Sequence, residues 1–262
     1  MERCSFSGYF WYDHGMSYNI FAQVYDDLMD EELYDLWIDF TKKNLSNTHE
    51  NVLDLACGAG HLAIKMKQEG YQVTGLDLSS EMIDLAKERA EEADMAIPFI
   101  IGDMLDLSVV EQFDAVTCYC DSLCYLPDAE AVQKTFEEVS QHLTEDGVFL
   151  FDVHSIHQID EIFPGYTFND QTEEISFLWK SYVGEFPHSI EHDLTFFVYQ
   201  EEIDLYERFD ETHKERTYPI KQYLSMLKKA GFTSVEVSAD YGKGKILNDS
   251  TRWFFVCRKE TK

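Results

Sequence analysis

The sequence predicts an α/β fold built around a doubly wound, mostly parallel sheet of about seven strands. Short apolar runs alternate along the chain with segments whose apolar residues recur at helical spacing, which is typical of strand–helix–strand units. The first run, 52–56, ends in a Gly-x-Gly turn that is followed by helix formers. Three successive runs also end in or near an aspartate. Parallel strands end at the same edge of a sheet, so we expect three carboxylates to meet there.

The segment 51–63 predicts a buried strand, a tight loop and the N-terminus of a helix. Its sequence is Asn-Val-Leu-Asp-Leu-Ala-Cys-Gly-Ala-Gly-His-Leu-Ala. Gly58 and Gly60 allow a sharp turn and a close approach of the backbone to a ligand, because neither residue carries a Cβ. Asp54 adds a carboxylate near the end of the strand. A negative charge in this position favours a cationic ligand over a pyrophosphate.

Two ligand classes are compatible with this loop. The spacing Gly58-x-Gly60-x-x-Ala63 fits the dinucleotide-binding fingerprint, in which Ala is accepted at the third position. The segment from Asp54 to Gly60 instead resembles the first motif of the class I S-adenosyl-L-methionine-dependent methyltransferases, whose fold is Rossmann-like. This cofactor (SAM) carries a sulfonium and an α-amino group but no phosphate. The resemblance implies that four residues of the segment bind the cofactor: Asp54, Ala56, Gly58 and Gly60.

The second predicted strand, 71–77, also ends in an acid. Asp77 lies 77 − 58 = 19 positions after Gly58, close to the spacing of an acid that binds ribose hydroxyls. The serines at 79 and 80 then offer an N-cap for a helix. In the methyltransferase family this acid binds the ribose diol and the next apolar residues flank the adenine. The resemblance therefore implies cofactor-binding roles for Asp77, Leu78 and Met82.

The third and fourth strands supply the remaining core residues of the predicted cofactor site. The run 97–101 leads into a Gly-Asp-Met turn, where the family uses the acid for the adenine amine and the next backbone N–H for a ring nitrogen. The resemblance assigns these roles to Asp103 and Met104, although Gly-Asp is also common in surface turns. The run 113–118 predicts the fourth strand. It continues to Cys120, which we expect to face the cofactor.

The chain is predicted to form one core with two additions. The SAM-binding core spans 45–158 and is completed by 217–262, which predicts a helix followed by a strand hairpin. Residues 159–216 alternate polar with bulky apolar side chains, which predicts three or four antiparallel strands that form a cap over the substrate. Residues 1–44 predict a helical lid. Within it, Tyr25 belongs to a stretch resembling the leader of many small bacterial methyltransferases, and the resemblance implies that this tyrosine packs near the cofactor.

Several side chains of the predicted cap could reach an acceptor. For each one alone, a structural role is the favoured interpretation. Arg208 is expected to pair with one of the many acids around it, and His213 is expected to lie in a solvated loop. The full set is Trp179, Arg208, His213, Arg216 and Tyr218.

Composition restricts the partners and the compartment. The 50 acidic residues outnumber the 21 Lys and Arg residues, which gives a net charge of −29. Nucleic acids and anionic membranes bind through Lys and Arg, so both are disfavoured, and a neutral or cationic small molecule such as an amine is a better match. The sequence shows no signal peptide or apolar span, and its six cysteines have no zinc-site spacing. We therefore expect a cytoplasmic protein without a metal, and we interpret 1–15 as an extension upstream of a natural start at Met16.

The sequence therefore predicts an enzyme that moves the methyl group of SAM to a small-molecule acceptor by in-line displacement, leaving S-adenosyl-L-homocysteine (SAH). The sulfonium is already activated, so alignment matters more than acid–base chemistry. Asp121 and Tyr125, just past the fourth strand, are positioned to bind the acceptor or take its proton, and no residue is assigned as catalytic. Two alternatives stay open. One is an NAD-dependent oxidoreductase, which Asp54 and the final hairpin oppose. The other is a non-catalytic SAM-binding regulatory or scaffold protein.

Overall fold

The computed structural model describes residues 31–201 and 203–259. The helices are α1 (Glu31–Asn44), α2 (His61–Gln68), α3 (Ser80–Glu92), α4 (Ala129–His142) and α5 (Ile220–Ala230). The strands are β1 (Asn51–Leu55), β2 (Gln72–Asp77), β3 (Phe99–Ile101), β4 (Phe113–Cys118), β5 (Leu143–His154), β6 (Thr167–Gln171), β7 (Ile175–Val183), β8 (Ser189–Gln200), β9 (Leu205–Arg216), β10 (Ser234–Ser238) and β11 (Arg252–Arg258). Tyr25, which the sequence places in the helical lid, lies outside the described residues.

Seven strands form one mixed sheet in the order β10-β11-β5-β4-β1-β2-β3. Strands β1 to β5 pair in parallel, and β11 runs antiparallel to both β5 and β10. This arrangement confirms the predicted doubly wound sheet and its antiparallel C-terminal hairpin. The chain leaves β1 towards β2 on one side, and β4 lies on the other side of β1. Ligands in open α/β sheets bind beyond the strand ends at such a reversal point.

The central strands are buried because helices cover both faces of the sheet. Val52 and Leu53 are both fully buried, yet their side chains point into different clusters. Val52 packs with residues of α1 and α2, whereas Leu53 packs with residues of α4 and α5. Such two-sided burial explains why the parallel strands appear in the sequence as continuous apolar runs rather than as alternating ones.

Strand β5 differs from its prediction. The sequence predicts a turn at 145–147 before the strand begins, whereas the structure has one strand from Leu143 to His154. The pairing with β4 shifts inside it, because Phe113 pairs with Leu143 while Ala115 pairs with Val148. The extra residues form a bulge that exposes two acids, which accounts for the turn-like sequence.

Four strands form a separate antiparallel sheet in the order β6-β7-β8-β9, which we call the cap sheet. This confirms the predicted antiparallel insertion, and β7 has the bounds 175–183 that the alternation of polar and apolar residues predicts. One face carries a buried apolar cluster of Phe177, Leu194 and Phe196. Met82 of α3 packs against this cluster, so the cap sheet rests on the core.

His213 does not lie in the solvated loop that the sequence predicts. It belongs to β9, which continues to Arg216, and its side chain is only 13% exposed. Its ring meets the ring of Tyr125 edge-on at 5.8 Å, and its Nε2 lies 2.9 Å from Glu211. By contrast, the prediction that Arg208 pairs with an acid is confirmed by its 2.7 Å contact with Asp210. Within the described ranges, no helix is long and apolar enough to cross a lipid bilayer.

Candidate active site

The loop after β1 forms a tight turn with several left-handed backbone conformations. Ala56, Gly58 and Gly60 have φ values of 57°, 51° and 83°. The two glycines meet different surroundings. A Cβ on Gly58 would have no neighbour within 4 Å, whereas a Cβ on Gly60 would lie 2.9 Å from the Cβ of Ala86 in α3. Gly60 is therefore needed for helix packing, and Gly58 leaves the loop open to a ligand.

Asp54 is a buried carboxylate at the edge of the sheet. Only 2% of the residue is exposed. Its Oδ1 accepts a 2.9 Å hydrogen bond from the Thr117 hydroxyl, while its Oδ2 has no hydrogen-bond partner among the described residues. Burial raises the pKa of Asp54 to about 7, and nearby Asp77 adds to the effect. A cationic group at Oδ2 would satisfy this oxygen, so the residue fits the α-amino group of SAM.

Asp77 connects the loops after β1 and β2. Its Oδ2 accepts a 2.8 Å hydrogen bond from the Gly58 N–H, and its Oδ1 accepts a 2.9 Å bond from the Ser79 N–H. Burial raises the pKa of Asp77 in spite of these bonds. Each carboxylate oxygen keeps a further lone pair, so the side chain retains the capacity to accept from a ribose diol.

The other predicted cofactor residues lie along the same edge, in different surroundings. Leu78 is 68% exposed beside Asp77, and Met82 packs against the cap sheet. Asp77 of β2 pairs with Ile101, the last residue of β3, and Asp103 follows two residues after Ile101. Asp103 is exposed and accepts a 2.9 Å bond from the Leu105 N–H, as in an ordinary turn. Two more predicted residues complete the edge: Met104, which packs on the core, and Cys120, which follows β4 with φ of 54°.

A second group of charges lies at this edge, and sequence reasoning found only part of it. We call it the buried charge cluster, and it contains Asp121, Asp152, His154, Glu215 and Arg252. Arg252 contacts Asp121 at 2.5 Å and also contacts the fully buried Asp152. Asp152 additionally accepts a 3.0 Å bond from the Trp37 indole N–H. The pattern Asp-Val-His at the end of β5 puts Asp152 and His154 on the same face, which was the available sequence signal.

The cap sheet completes this cluster. His154 Nε2 lies 3.1 Å from Asp121 Oδ2 and 3.4 Å from Oε2 of Glu215, which belongs to β9. Burial would raise the pKa of Asp121, but Arg252 and His154 outweigh it and hold that pKa well below its usual range. Burial would likewise lower the pKa of His154, yet the Asp121 carboxylate raises it above the ordinary value. With so low a pKa the Asp121 carboxylate is a weak base, which makes it a poor proton acceptor at neutral pH.

Comparison with known proteins gives concordant matches. Residues 52–147 match the family model described as a methyltransferase domain. A putative methyltransferase of Geobacillus sp. (strain WCH70) is 43% identical over 248 residues, which cover 93% of this chain and 100% of that protein. The crystal structure of an S-adenosylmethionine-dependent methyltransferase from Clostridium acetobutylicum ATCC 824 superposes with a TM-score of 0.80 at 29% identity, covering 93% of this chain and 99% of that one. The sugar N-methyltransferase KedS8 from Streptoalloteichus sp. ATCC 53650 shares the fold over 100% of both chains, with a TM-score of 0.74 at 19% identity.

Proposed function

Since this chain belongs to the SAM-dependent methyltransferases, we propose that its methyl acceptor is a small molecule with an amine nitrogen, bound under the cap sheet. The chain is an enzyme of the class I type and uses SAM as its cofactor. The oxidoreductase alternative gains no support from these relatives. The open question is therefore the acceptor and the residues that hold each ligand.

The proposal rests on one observation, which is that the cap sheet covers the carboxyl ends of the parallel strands. The cap sheet meets the core on both sides of the edge. On the β2 side, Met82 packs against the Phe177 cluster. On the β5 side, Glu215 approaches His154, and the Thr217 hydroxyl, just past β9, donates a 2.7 Å bond to the His154 carbonyl. A site covered in this way favours a small acceptor over a duplex or a folded protein.

Charge and fold similarity support an amine as the acceptor group. The net charge of −29 attracts cations and repels polyanions such as nucleic acids. The sugar N-methyltransferase KedS8, which shares this fold, transfers its methyl group to nitrogen according to its name. We therefore rank small amines first, ahead of small alcohols and phenols. The same charge supports a protein that does not bind nucleic acid or anionic membranes. Five free cysteines in the described ranges support a cytoplasmic location.

For the cofactor, we propose roles that follow the surroundings of each residue. The orphaned Oδ2 of Asp54 receives the α-ammonium group, and Asp77 accepts from the ribose hydroxyls. Gly58 leaves space for the methionine portion. The adenine lies between Leu78, Met82 and the turn at Asp103. The remaining proposed cofactor residues are Ala56, Gly60, Met104, Cys120 and, in the N-terminal segment, Tyr25.

The chemistry asks for alignment and exclusion of water. When bound, SAM supplies a methyl group on a sulfonium that is ready for in-line displacement. The protein holds the acceptor at the edge of the sheet, and such alignment can contribute about 7–11 kcal/mol to lowering the barrier. Tyr125, on the turn after β4, remains the candidate to contact the acceptor, since Asp121 is ionised and paired. Burial under the cap sheet strengthens every polar contact that orients the amine.

The test is methyl turnover measured as SAH formation. The purified chain is incubated with SAM and with separate panels of small amines, small alcohols and phenols, and transfer RNA. We expect SAH and a methylated product with members of the amine panel alone, and at least about tenfold slower turnover at sub-saturating SAM in an Asp77→Ala control. Turnover only on RNA or on a protein would refute the small-molecule proposal. SAH binding without turnover on any panel, together with a reproducible basic protein partner, would favour the scaffold alternative.

A further inference from the structure

We infer that Asp121, His154 and Glu215 form a binding site for one divalent transition-metal ion, of the Zn²⁺ type, between the core and the cap sheet. The three side chains offer Oδ2, Nε2 and Oε2, and these atoms all lie within 4.8 Å of one another. Each residue is more than nine-tenths buried. Imidazole nitrogen and carboxylate oxygen are donors that such ions accept.

Each carboxylate has one oxygen near another basic side chain and the other oxygen near His154. Asp121 Oδ1 contacts Arg252, and Glu215 Oε1 lies 3.5 Å from His192 Nε2. The Trp179 indole N–H donates to His192 Nδ1 at 3.1 Å, and His192 Nε2 faces Glu215. Arg252 and His192 thus lie behind the two carboxylates, where outer residues commonly lie around a metal ion.

Hydrogen bonding alone leaves this arrangement unsatisfied. A single nitrogen, His154 Nε2, faces two carboxylate oxygens at 3.1 and 3.4 Å, and one N–H points well at only one of them. Glu215 Oε2 is buried and has no hydrogen-bond partner within the part of the chain that the structure describes. Ligand atoms about 2.0–2.2 Å from a tetrahedral ion lie roughly 3.3–3.6 Å apart, near the two distances seen here. The third pair, the Asp121 and Glu215 oxygens, lies within 4.8 Å, so one ion would contact all three atoms once the two carboxylates draw closer together.

The charge balance of the buried charge cluster also favours a bound cation. The cluster contains three buried carboxylates, those of Asp121, Asp152 and Glu215, against the single guanidinium of Arg252. With all three carboxylates ionised, the cluster would carry two net negative charges in a site largely removed from water, which is costly without compensation. Protonation of His154 offsets only one of them. A divalent cation offsets both.

This site could not be predicted from the sequence because its donors come from three distant segments. Asp121 follows β4, His154 ends β5, and Glu215 lies near the end of β9 in an acid-rich stretch. The expectation of no metal rested on the spacing of cysteines, none of which takes part. Since Glu215 belongs to the cap sheet and the other two ligands to the core, a bound ion ties the two sheets together.

The experiment is a calorimetric titration of the full chain with Zn²⁺, after removal of metal by a chelator. We expect one ion per chain, and an affinity at least about tenfold lower in Glu215→Gln and in His154→Gln. The matched control is Glu211→Gln, which changes another acid of β9 that contacts a histidine, and its affinity should equal that of the wild type. Zn²⁺ should also raise the unfolding temperature of the wild type and of Glu211→Gln alone.

Other results would overturn the inference. No uptake by the wild type, or equal affinity in all variants, would mean an adventitious ion only, held by the free cysteines for example. X-ray absorption of the zinc-loaded wild type decides the matter even where a variant fails to fold, because sulfur ligands contradict the site and nitrogen and oxygen ligands support it. A Glu215-dependent rise in unfolding temperature with methylammonium but not with Zn²⁺ would assign the site to an ammonium group instead. These readouts do not involve methyl turnover, so they stand apart from the test of the acceptor.

Discussion

Two groups of buried carboxylates lie at the same edge of the parallel sheet, and the chain assembles them in different ways. Asp54 lies in β1 and Asp77 ends β2, so parallel pairing alone brings them together. Asp121 and Glu215 meet only because the cap sheet folds back onto the core. The first group is therefore encoded by local motifs, and the second depends on tertiary structure.

The two groups also differ in how their charge is balanced. Asp54 has a hydroxyl partner but no neighbouring cation in the described structure, and burial raises its pKa to about 7. Asp121 contacts Arg252 and His154, which hold its pKa well below the usual range. The first carboxylate is thus prepared to receive a positive charge from a ligand, whereas the second already shares positive charge from the protein.

Arg252→Met tests the charge balance within the buried charge cluster, and it should have the largest effect of the three variants. It leaves Asp121 and Asp152 buried without their guanidinium, which we expect to lower the free energy of unfolding by about 3–5 kcal/mol. Urea denaturation at neutral pH measures the loss. Arg258→Met is the control, since Arg258 lies on the same strand but pairs with the exposed Glu236, and it should cost less than about 1 kcal/mol. Equal losses in the two variants would contradict a special role for Arg252.

Asp54→Asn tests the first group of carboxylates. We expect this variant to be more stable than the wild type but to bind SAH more weakly. The pKa of Asp54 is raised on folding, so its contribution to stability is fully present below the unfolded pKa and is lost as the pH rises towards and through about 7. Asparagine cannot ionise, so the variant without SAH should be more stable than the wild type at pH 7, by at most about 4 kcal/mol. Its affinity for SAH should fall.

Thermal unfolding of the wild type and of Asp54→Asn between pH 5 and pH 8 measures the difference in stability. Calorimetric titration with SAH measures the difference in affinity. The wild type should lose stability relative to Asp54→Asn as the pH rises across this range. A constant difference would mean that Asp54 is ionised throughout. Unchanged SAH affinity would separate Asp54 from the α-ammonium group.

Asp77→Ala should have the smallest effect of the three on the quantity measured, which here is ligand affinity, although it also removes the acceptor of the Gly58 and Ser79 N–H groups. The variant loses charge-assisted hydrogen bonds to the ribose, worth roughly 1.5–3 kcal/mol, which is about a 10- to 150-fold weaker affinity for SAH. Titration with SAH measures it, with NAD as the control ligand. Asp106→Ala removes an exposed acid whose carboxylate accepts from Ser108, and it should leave the affinity unchanged. Equal SAH affinity in Asp77→Ala and the wild type would reject the assignment of the ribose site to β2.

Much of the core could be predicted from sequence because its signals are local. The apolar runs of β1, β2 and β4 and the N-cap at Ser79 each appear within a few residues, and the N-cap bond to the Met82 N–H is present at 3.1 Å. The alternation of β7 predicted its bounds, since one face of the strand is buried and the other is wet. The bulge in β5 was mistaken for a turn because exposed acids mark both structures.

The buried charge cluster could not be predicted in the same way. Glu215 resembles the surrounding acids of β9 in sequence, and only the pairing of β8 with β9 and the contact with His154 set it apart. The sequence also does not predict that β9 extends to Arg216, since the charged residues of this strand are typical of a loop until they are paired. The distinct surroundings of Gly58 and Gly60 depend on α3, which their local motif does not include.

The two ends of the cap insertion meet at one point of the core. The hydroxyl of Thr217, where the chain re-enters the core, binds the carbonyl of His154, where it leaves. For the folding of the parallel sheet, the cap therefore acts as a loop whose two ends are already held together. Doubling the length of such a loop costs only about 0.6 kcal/mol of closure entropy. An insertion fixed in this manner can be lengthened, shortened or exchanged at little cost to folding. Acceptor specificity can then diversify during evolution while the cofactor edge stays intact.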